Sequence, residues 1–307
     1  MRMRKEMIII GMICAILLIG GCTGGGSGGS KVVDVRKGFD GLSLEFHPNA
    51  PPANSLVNST IDIIAKVTNK GASNATGILV LSLEKGYMDL ESGQNKVKFQ
   101  IPGKTIYYPD DQQEFYEFTA EVRDLDPLLE KHNSIIIGTI CYNYTTTASY
   151  DICVDTDVYG QKIGMKPCTS SDIQSSSGQG GPVAVTNIEQ KTRESDGTIR
   201  PMFIITVENK GDGLVMNQAL VEKTCGSDPI MDIDWNLIQI EAKLGAVSLQ
   251  CDPGHIDLKE KKDRIRCIYP EYSNIERTQG NYMTNLNIKL NYGYTTSKSK
   301  TVTIEKI

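Results

Sequence analysis

The sequence predicts an all-β protein: two tandem immunoglobulin-like antiparallel β-sandwich domains behind an N-terminal signal or anchor segment. Three observations carry this prediction. Val- and Ile-rich runs alternate with a period of two, and Asn-Lys-Gly, Pro-Gly, Pro-Asp-Asp or Asp-Pro-Gly cuts them at roughly 8- to 12-residue spacing. The same landmarks then occur twice, in the same order. A length of 307 residues is ordinary for two domains. With 39% hydrophobic and 22% charged residues, the composition is globular, and neither a disordered chain nor a polytopic membrane protein.

The first 21 residues read as an export address. Arg2, Arg4 and Lys5 precede an apolar run from Met7 to Ile19, closed by Gly20, Gly21 and Cys22. The run is shorter than the roughly 20 residues of a bilayer-spanning helix, which favours a cleaved signal over the alternative, an uncleaved anchor. Ile19-Gly20-Gly21-Cys22 resembles the lipobox of prokaryotic lipoproteins, which implies lipidation at Cys22. Residues 22–30, Gly- and Ser-rich from Thr23 to Ser30, form a flexible tether between membrane and body. Removing residues 1–21 deletes three positive charges and Glu6, so the formal charge moves from -5 to -7. An acidic body of this kind offers no surface for nucleic acid.

After the tether, residues 31–168 form the first expected domain, 169–181 a Ser/Gly/Gln-rich linker and 182–307 the second domain. Expected strands in the first are Leu42–Phe46, Ser59–Thr68, Thr76–Leu83, Lys96–Ile101, Gln113–Val122, Ser134–Tyr144 and Ser149–Asp155. In the second they are Val183–Gln190, Arg200–Glu208, Gln218–Thr224, Leu237–Leu244, Ala246–Cys251, Asp263–Tyr269, Thr284–Tyr292 and Lys298–Lys306. Asp126–Lys131 reads as a helical turn. The strand Ile61–Thr68 with its Asn69-Lys70-Gly71 turn recurs 140 residues later as Met202–Glu208 with Asn209-Lys210-Gly211. Tyr142-Asn143-Tyr144-Thr145-Thr146 recurs 150 residues later as Tyr292-Gly293-Tyr294-Thr295-Thr296. Strand alternation places these tyrosines in the core.

Six of the eight cysteines lie beyond residue 140, and none has the spacing of a zinc site, so export predicts disulfides. A hairpin over Ile135–Val154 turning at Thr147 would oppose Cys141 to Cys153, Tyr144 to Tyr150 and Tyr142 to Ile152. Cys251 and Cys267 bracket a second strand-turn-strand stretch. Cys168 and Cys225 remain for a bridge between the halves, although spacing alone leaves the connectivity open. Asn58, Asn74 and Asn143 head glycosylation sequons, with Asn143 on the outward face of the hairpin.

The segment Ile61–Leu83, and again Phe203–Leu220, resembles the opening of CARDB and related immunoglobulin-like modules of prokaryotic surface proteins. The resemblance covers about 20 residues of each half and implies a β-sandwich at the cell surface. Chemistry-bearing motifs are sparse. His47, His132 and His255 stand apart from any nucleophile pattern. Asp124, Asp126, Asp151, Asp155 and Asp157 lack the spacing of a calcium loop, and read as turn residues. Lys259, Lys261, Lys262, Arg264 and Arg266 interleave with Glu260 and Asp263 as a solvated hairpin tip.

The expectation is therefore a non-catalytic, membrane-tethered extracytoplasmic protein without cofactor or metal. It would bind an envelope protein or glycan, or act as a spacer. The alternative is an exported carbohydrate-active enzyme or accessory subunit using loop carboxylates such as Asp110, Asp111 and Glu114.

Overall fold

The computed structural model describes residues 34–162, 164–226 and 235–306. The signal segment, Cys22 and the Gly/Ser tether lie outside them. The described chain is almost entirely strand: β1 (Leu42–Phe46), β2 (Asn54–Leu56), β3 (Thr60–Asn69), β4 (Ala75–Leu83), β5 (Met88–Leu90), β6 (Lys96–Ile101), β7 (Gln112–Val122), β8 (Lys131–Val154), β9 (Ile173–Gln174), β10 (Val183–Ser195), β11 (Thr198–Asn209) and β12 (Leu214–Met216). After a short helix α1 (Val221–Thr224) come β13 (Leu237–Leu244), β14 (Val247–Ser248), β15 (Gln250–Asp252), β16 (His255–Asp257), β17 (Lys262–Ile268), β18 (Ile275–Glu276) and β19 (Tyr282–Glu305).

The period-two pattern does what it should. Along β3, Ile61, Ile63, Ala65 and Val67 are buried, and along β11 Ile199, Phe203, Ile205 and Val207 are. β1-β3-β7-β5 forms one outer sheet and β15-β17-β11-β10-β9 a second. A nine-stranded sheet, built on β14-β13-β19-β8-β4-β6, serves both.

The strands at its centre depart from expectation. β8 is one uninterrupted strand of 24 residues that runs straight through Thr147 with no hairpin. Thr145-Thr146-Thr147-Ala148-Ser149 contains no Gly, Asn or Asp to supply the positive φ of a tight hairpin turn, and its β-branched residues favour extension. The two strands expected at Thr284–Tyr292 and Lys298–Lys306 are likewise one 24-residue strand, β19. β8 and β19 pair antiparallel along their whole length, about 80 Å at strand rise, with Asn143 opposite Gly293, Tyr142 opposite Tyr294 and Tyr144 opposite Tyr292. Two copies of one motif paired antiparallel define an approximate two-fold axis, which passes between Asn143 and Gly293.

Each long strand serves both halves. The first part of β8 pairs with β4, while its last residues reach the second half, where the Tyr150 hydroxyl approaches the Val185 carbonyl. β19 pairs with β13 and then runs on into the first half, where β2 adds to it in parallel and Lys300 Nζ donates to the carbonyls of His47 and Pro48. The halves expected as tandem sandwiches thus share one sheet and one contiguous core. Residues 169–181 are built into it: β9 pairs with β10, and Gln179 is buried with its side chain bonded to Val185 N and O.

Residues 217–226 have no counterpart in the first half, where β4 runs straight through the equivalent position. Gln218–Thr224, expected as a strand, is instead a 3-10 turn followed by α1. The Asn217 side chain caps it by accepting from Ala219 N, and Gln218, Ala219, Leu220, Glu222 and Lys223 are good helix formers. The excursion lays Met216, Val221, Cys225 and Trp235 on Ile78, Val80 and Cys141 as a small second core.

That excursion decides the disulfides. Cys251–Cys267 form the expected cross-strand bridge between β15 and β17. The expected Cys141–Cys153 and Cys168–Cys225 pairs are replaced by Cys141–Cys225 and Cys153–Cys168. With no hairpin, Cys141 and Cys153 sit 12 residues apart on one strand, about 40 Å, so neither can reach the other. The bridge between halves exists, but it runs through Cys141. Its loop spans 84 residues against 15 and 16 for the others. In a loop-entropy account, replacing Cys141 and Cys225 by Ala therefore costs about 4–5 kcal/mol, against about 3 kcal/mol for either short loop. Denaturant unfolding of the three double-Ala variants checks that order.

Candidate functional site

The two Asn-Lys-Gly turns and four tyrosines form a structure repeated about the axis. In the first half the Asn69 amide donates to the Ser73, Ile101 and Pro102 carbonyls, and its Oδ1 accepts from Gly71 N. In the second, Asn209 donates to Gly213 O and accepts from Gly211 N. Tyr144 Oη accepts from Ser73 N at 3.1 Å, as Tyr294 Oη accepts from Gly213 N at 2.9 Å. Tyr142 Oη accepts from Leu42 N, the first residue of β1, as Tyr292 Oη accepts from Val183 N, the first residue of β10. The four rings pack as one cluster with centroids 5.7–6.3 Å apart. Burial holds all four hydroxyls in their neutral form: Tyr144 and Tyr294 are pushed up to about 12, and Tyr142 and Tyr292 well above the usual value.

Beside the axis the symmetry fails again, ahead of β1 and β10, and there the molecule has a groove. On one side of the axis, Gly178–Gly181 fills the space between the Lys70–Asn74 turn and β8. Gly180 O accepts from Ala72 N at 2.9 Å and from Tyr144 Oη at 2.8 Å. Gly181 lies so close that a Cβ there would stand 2.4 Å from Thr146 Oγ1 and 2.8 Å from the Tyr144 ring. By the same count ahead of β1, the counterparts of Gly180-Gly181 are Phe39-Asp40. Their Cβ atoms forbid the same close seat. Phe39 and Asp40 become the rim of an open groove instead, and Tyr294 Oη turns to Asn209 Oδ1 at 3.0 Å.

The groove has a volume of about 610 Å³. Its walls are Phe39–Glu45 on one side and Lys210–Leu214 on the other, and Thr295–Lys298 of β19 runs along it above Tyr142 and Tyr294. Asp40, Glu45 and Asp212 balance Lys70, Lys210 and Lys298. Glu45 is already tied to Lys66 at 2.7 Å, which lowers its pKa. The Ser43 hydroxyl beside it is buried with no hydrogen-bond partner. The arrangement suits a slim, extended, polar and uncharged chain, the kind of segment that fills the equivalent space across the axis.

Other sequence-predicted residues are dispersed. Asp111 is tied to Lys104 at 2.7 Å and Glu114 to the Tyr116 hydroxyl, while Asp110 is exposed. His132 stacks on Tyr87 and meets Glu84 at 3.1 Å. His47 lies in the turn before Ala50, and His255 in β16. Asp124 and Asp126 cap their own turn, at Leu125 N and Leu128 N, and Asp155 and Asp157 hold Lys166. Among the described residues no group of three or more His, Cys, Asp or Glu is placed to hold a metal ion. Asn58 and Asn74 stand exposed, the latter accepting from Gly103 N. Asn143, expected to be reachable, is half-buried beside Val221 and Glu222, its Oδ1 without a partner.

The basic segment expected as a hairpin tip instead joins β16, which pairs with β13, to β17 of the outer sheet, and its charges pair off: Lys259 with Asp257, Arg264 with Glu189, Arg266 with Asp252 and Lys262 with Glu208. Hydrogen bonds from Lys210 and Lys262 hold the Glu208 carboxylate down at about 2. A carboxylate depressed in the folded state stabilises above its unfolded value and loses that contribution as it protonates. Stability should therefore fall between about pH 4.5 and pH 2 through this group. In Glu208→Gln that part of the acid limb should vanish from a pH series of melting temperatures.

No protein-family model matches the chain, and a search of curated proteins finds no match either.

Proposed function

We propose that the protein is a non-catalytic, membrane-tethered extracytoplasmic binding protein that holds an extended polar chain, a peptide segment of an envelope partner or a glycan, in the groove beside the pseudo-two-fold axis. The observation that carries the binding reading is the asymmetry at Gly180-Gly181 and Phe39-Asp40, which leaves open on one side a space the chain fills with itself on the other. The cysteines support the compartment. All six beyond residue 140 are spent in three disulfides, the chemistry of an oxidising exterior, so that only Cys14 and Cys22 remain. A lipid at Cys22 and the Gly/Ser tether would then display the body, in keeping with its resemblance to CARDB-type surface modules.

Two measurements test this. Intact mass of protein extracted from its native membrane should show a chain beginning at a lipidated Cys22, lighter than its reduced form by two hydrogens per bridge. A full-length chain with free thiols would remove the compartment. On peptide and glycan arrays the wild-type body should retain ligands that Thr296→Leu, which fills the groove floor, loses about tenfold or more. Identical retention by both would remove the groove.

A further inference from the structure

The loop from β6 to β7 carries a feature that the groove does not use. Thr105 and Tyr108 close a tight turn, with Thr105 N donating to Tyr108 O at 3.0 Å and Tyr108 N to Thr105 O and Oγ1. Such turns ordinarily carry Gly, Asn, Asp or Ser. This one carries Ile106, Tyr107 and Tyr108, which are 64%, 81% and 71% exposed. Its base is fixed: Lys104 N donates to Gly71 O, Gly103 N to Asn74 Oδ1, and Lys104 pairs with Asp111. Three large apolar or aromatic groups held out on a braced turn mark a contact surface.

What lies beside it indicates the partner. A Cβ on Gly103 would touch Ala72 and Ser73 at 2.6 Å, one on Gly180 would touch Ala72 at 2.6 Å, and the same Gly180 position stands 3.2 Å from Arg36 Cα. Arg36 is two residues in from Asp34, where residues 1–33 join the body. The start of the body and Gly103 at the base of the aromatic turn therefore pack on the same Ala72 segment. The 12 residues from Cys22 to Val33 can reach at most about 40 Å however they are arranged, so an anchor at Cys22 would hold this face within that distance of the bilayer.

We propose that the Thr105–Pro109 turn docks the body onto the surface of its own membrane, with Ile106, Tyr107 and Tyr108 seated at the headgroup level where tyrosine partitions. The inference rests on the tethered reading above. The tether makes docking intramolecular, so a modest interfacial affinity suffices. Lys104, Asp110 and Asp111 leave the loop with one net negative charge, so attraction to anionic lipid is not the driving force. Docking should persist when salt is raised to about 1 M, where the Debye length is about 3 Å.

The test uses full-length protein from its native membrane, reconstituted into phosphatidylcholine vesicles with brominated acyl chains. Tyr107→Trp reports on the turn. Tyr272→Trp, on an exposed turn following β17 at the far end of β11, is the control, and the wild-type chain supplies the Trp235 background. The indole introduced by Tyr107→Trp should be quenched about threefold more than the one introduced by Tyr272→Trp, at low and at high salt. Co-flotation with equal quenching of both variants overturns docking while leaving the tether intact, as does a Tyr107→Trp signal that responds to a glycan but not to bromolipid. Failure to co-float overturns the tethered reading and docking together.

Discussion

Expressed as separate chains, residues 1–168 and 182–307 should each fail to fold, and should recover native structure only when refolded together. The cores cross. Val302 and Ile304, near the end of β19, are buried among strands of the first half, where β19 pairs with β2. Ala148, Ile152 and Val154 of β8 are buried toward the second half, where Ile152 and Val154 line a small cavity with Phe203. Each such side chain contributes about 1.5–3 kcal/mol by burial. Two or three of them, together with the whole 24-residue β8–β19 ladder that the division removes, are worth most of the roughly 5–15 kcal/mol that holds a typical domain together. Each half would also expose a long edge strand, β8 or β19, which invites aggregation. Circular dichroism and amide NMR of the halves, apart and mixed, read this directly. A dispersed, cooperatively melting spectrum from either half alone would show that the sandwiches are independent after all.

The same crossing explains which parts of the fold were legible in the sequence. Alternation placed most strands within a residue or two, because burying one face of a strand needs only a local pattern. Partners are not local. The Tyr-Asn-Tyr and Tyr-Gly-Tyr motifs announce a repeat, but an antiparallel pairing of the two copies is a long-range event, and the pattern that predicts strand before and after Thr147 is the same with or without a turn between. The missing hairpin then carried the Cys141–Cys153 pairing away with it. Cys251–Cys267 was readable because its two strands lie only 16 residues apart, although β16 between them crosses over to pair with β13. The groove was legible in principle: aligning the repeats at their first paired residues, Leu42 and Val183, sets Phe39-Asp40 against Gly180-Gly181, and only glycine tolerates the contact with Thr146 and Tyr144. The excursion at 217–226, which sets Val221 and Glu222 beside Asn143 and brings in Cys225, had no such signal, since a Gln-Ala-Leu-Val stretch suits strand or helix by pattern.

Removing any one ring of the tyrosine cluster should cost more stability than any surface change, and removing one hydroxyl should cost a measurable fraction of that. Tyr142→Ala opens a fully buried ring-sized cavity between Tyr144 and Tyr294 and strands Leu42 N, for about 3–5 kcal/mol. Tyr144→Phe keeps the packing but leaves Ser73 N without its acceptor and removes one donor from Gly180 O, for about 1–3 kcal/mol. Tyr294→Phe makes the equivalent loss at Gly213 N and Asn209 Oδ1, on the open side of the axis. Denaturant midpoints of the three variants give the comparison, and because Tyr142 and Tyr294 touch, the Tyr142→Ala/Tyr294→Phe double variant should depart from additivity. Alkaline titration supplies an independent sign. An acid whose folded pKa is raised supports the fold below its unfolded value, near 10, and loses that support as pH rises toward the folded one. With Tyr144 and Tyr294 pushed up to about 12, the protein should weaken progressively above about pH 10, and the ultraviolet tyrosinate signal should keep a fraction that ionises only on unfolding. A native spectrum in which all thirteen tyrosines ionise together near 10 would mean that the hydroxyls reach water, and that the axis is not the closed, hydrogen-bonded joint on which both the shared core and the one-sided groove depend.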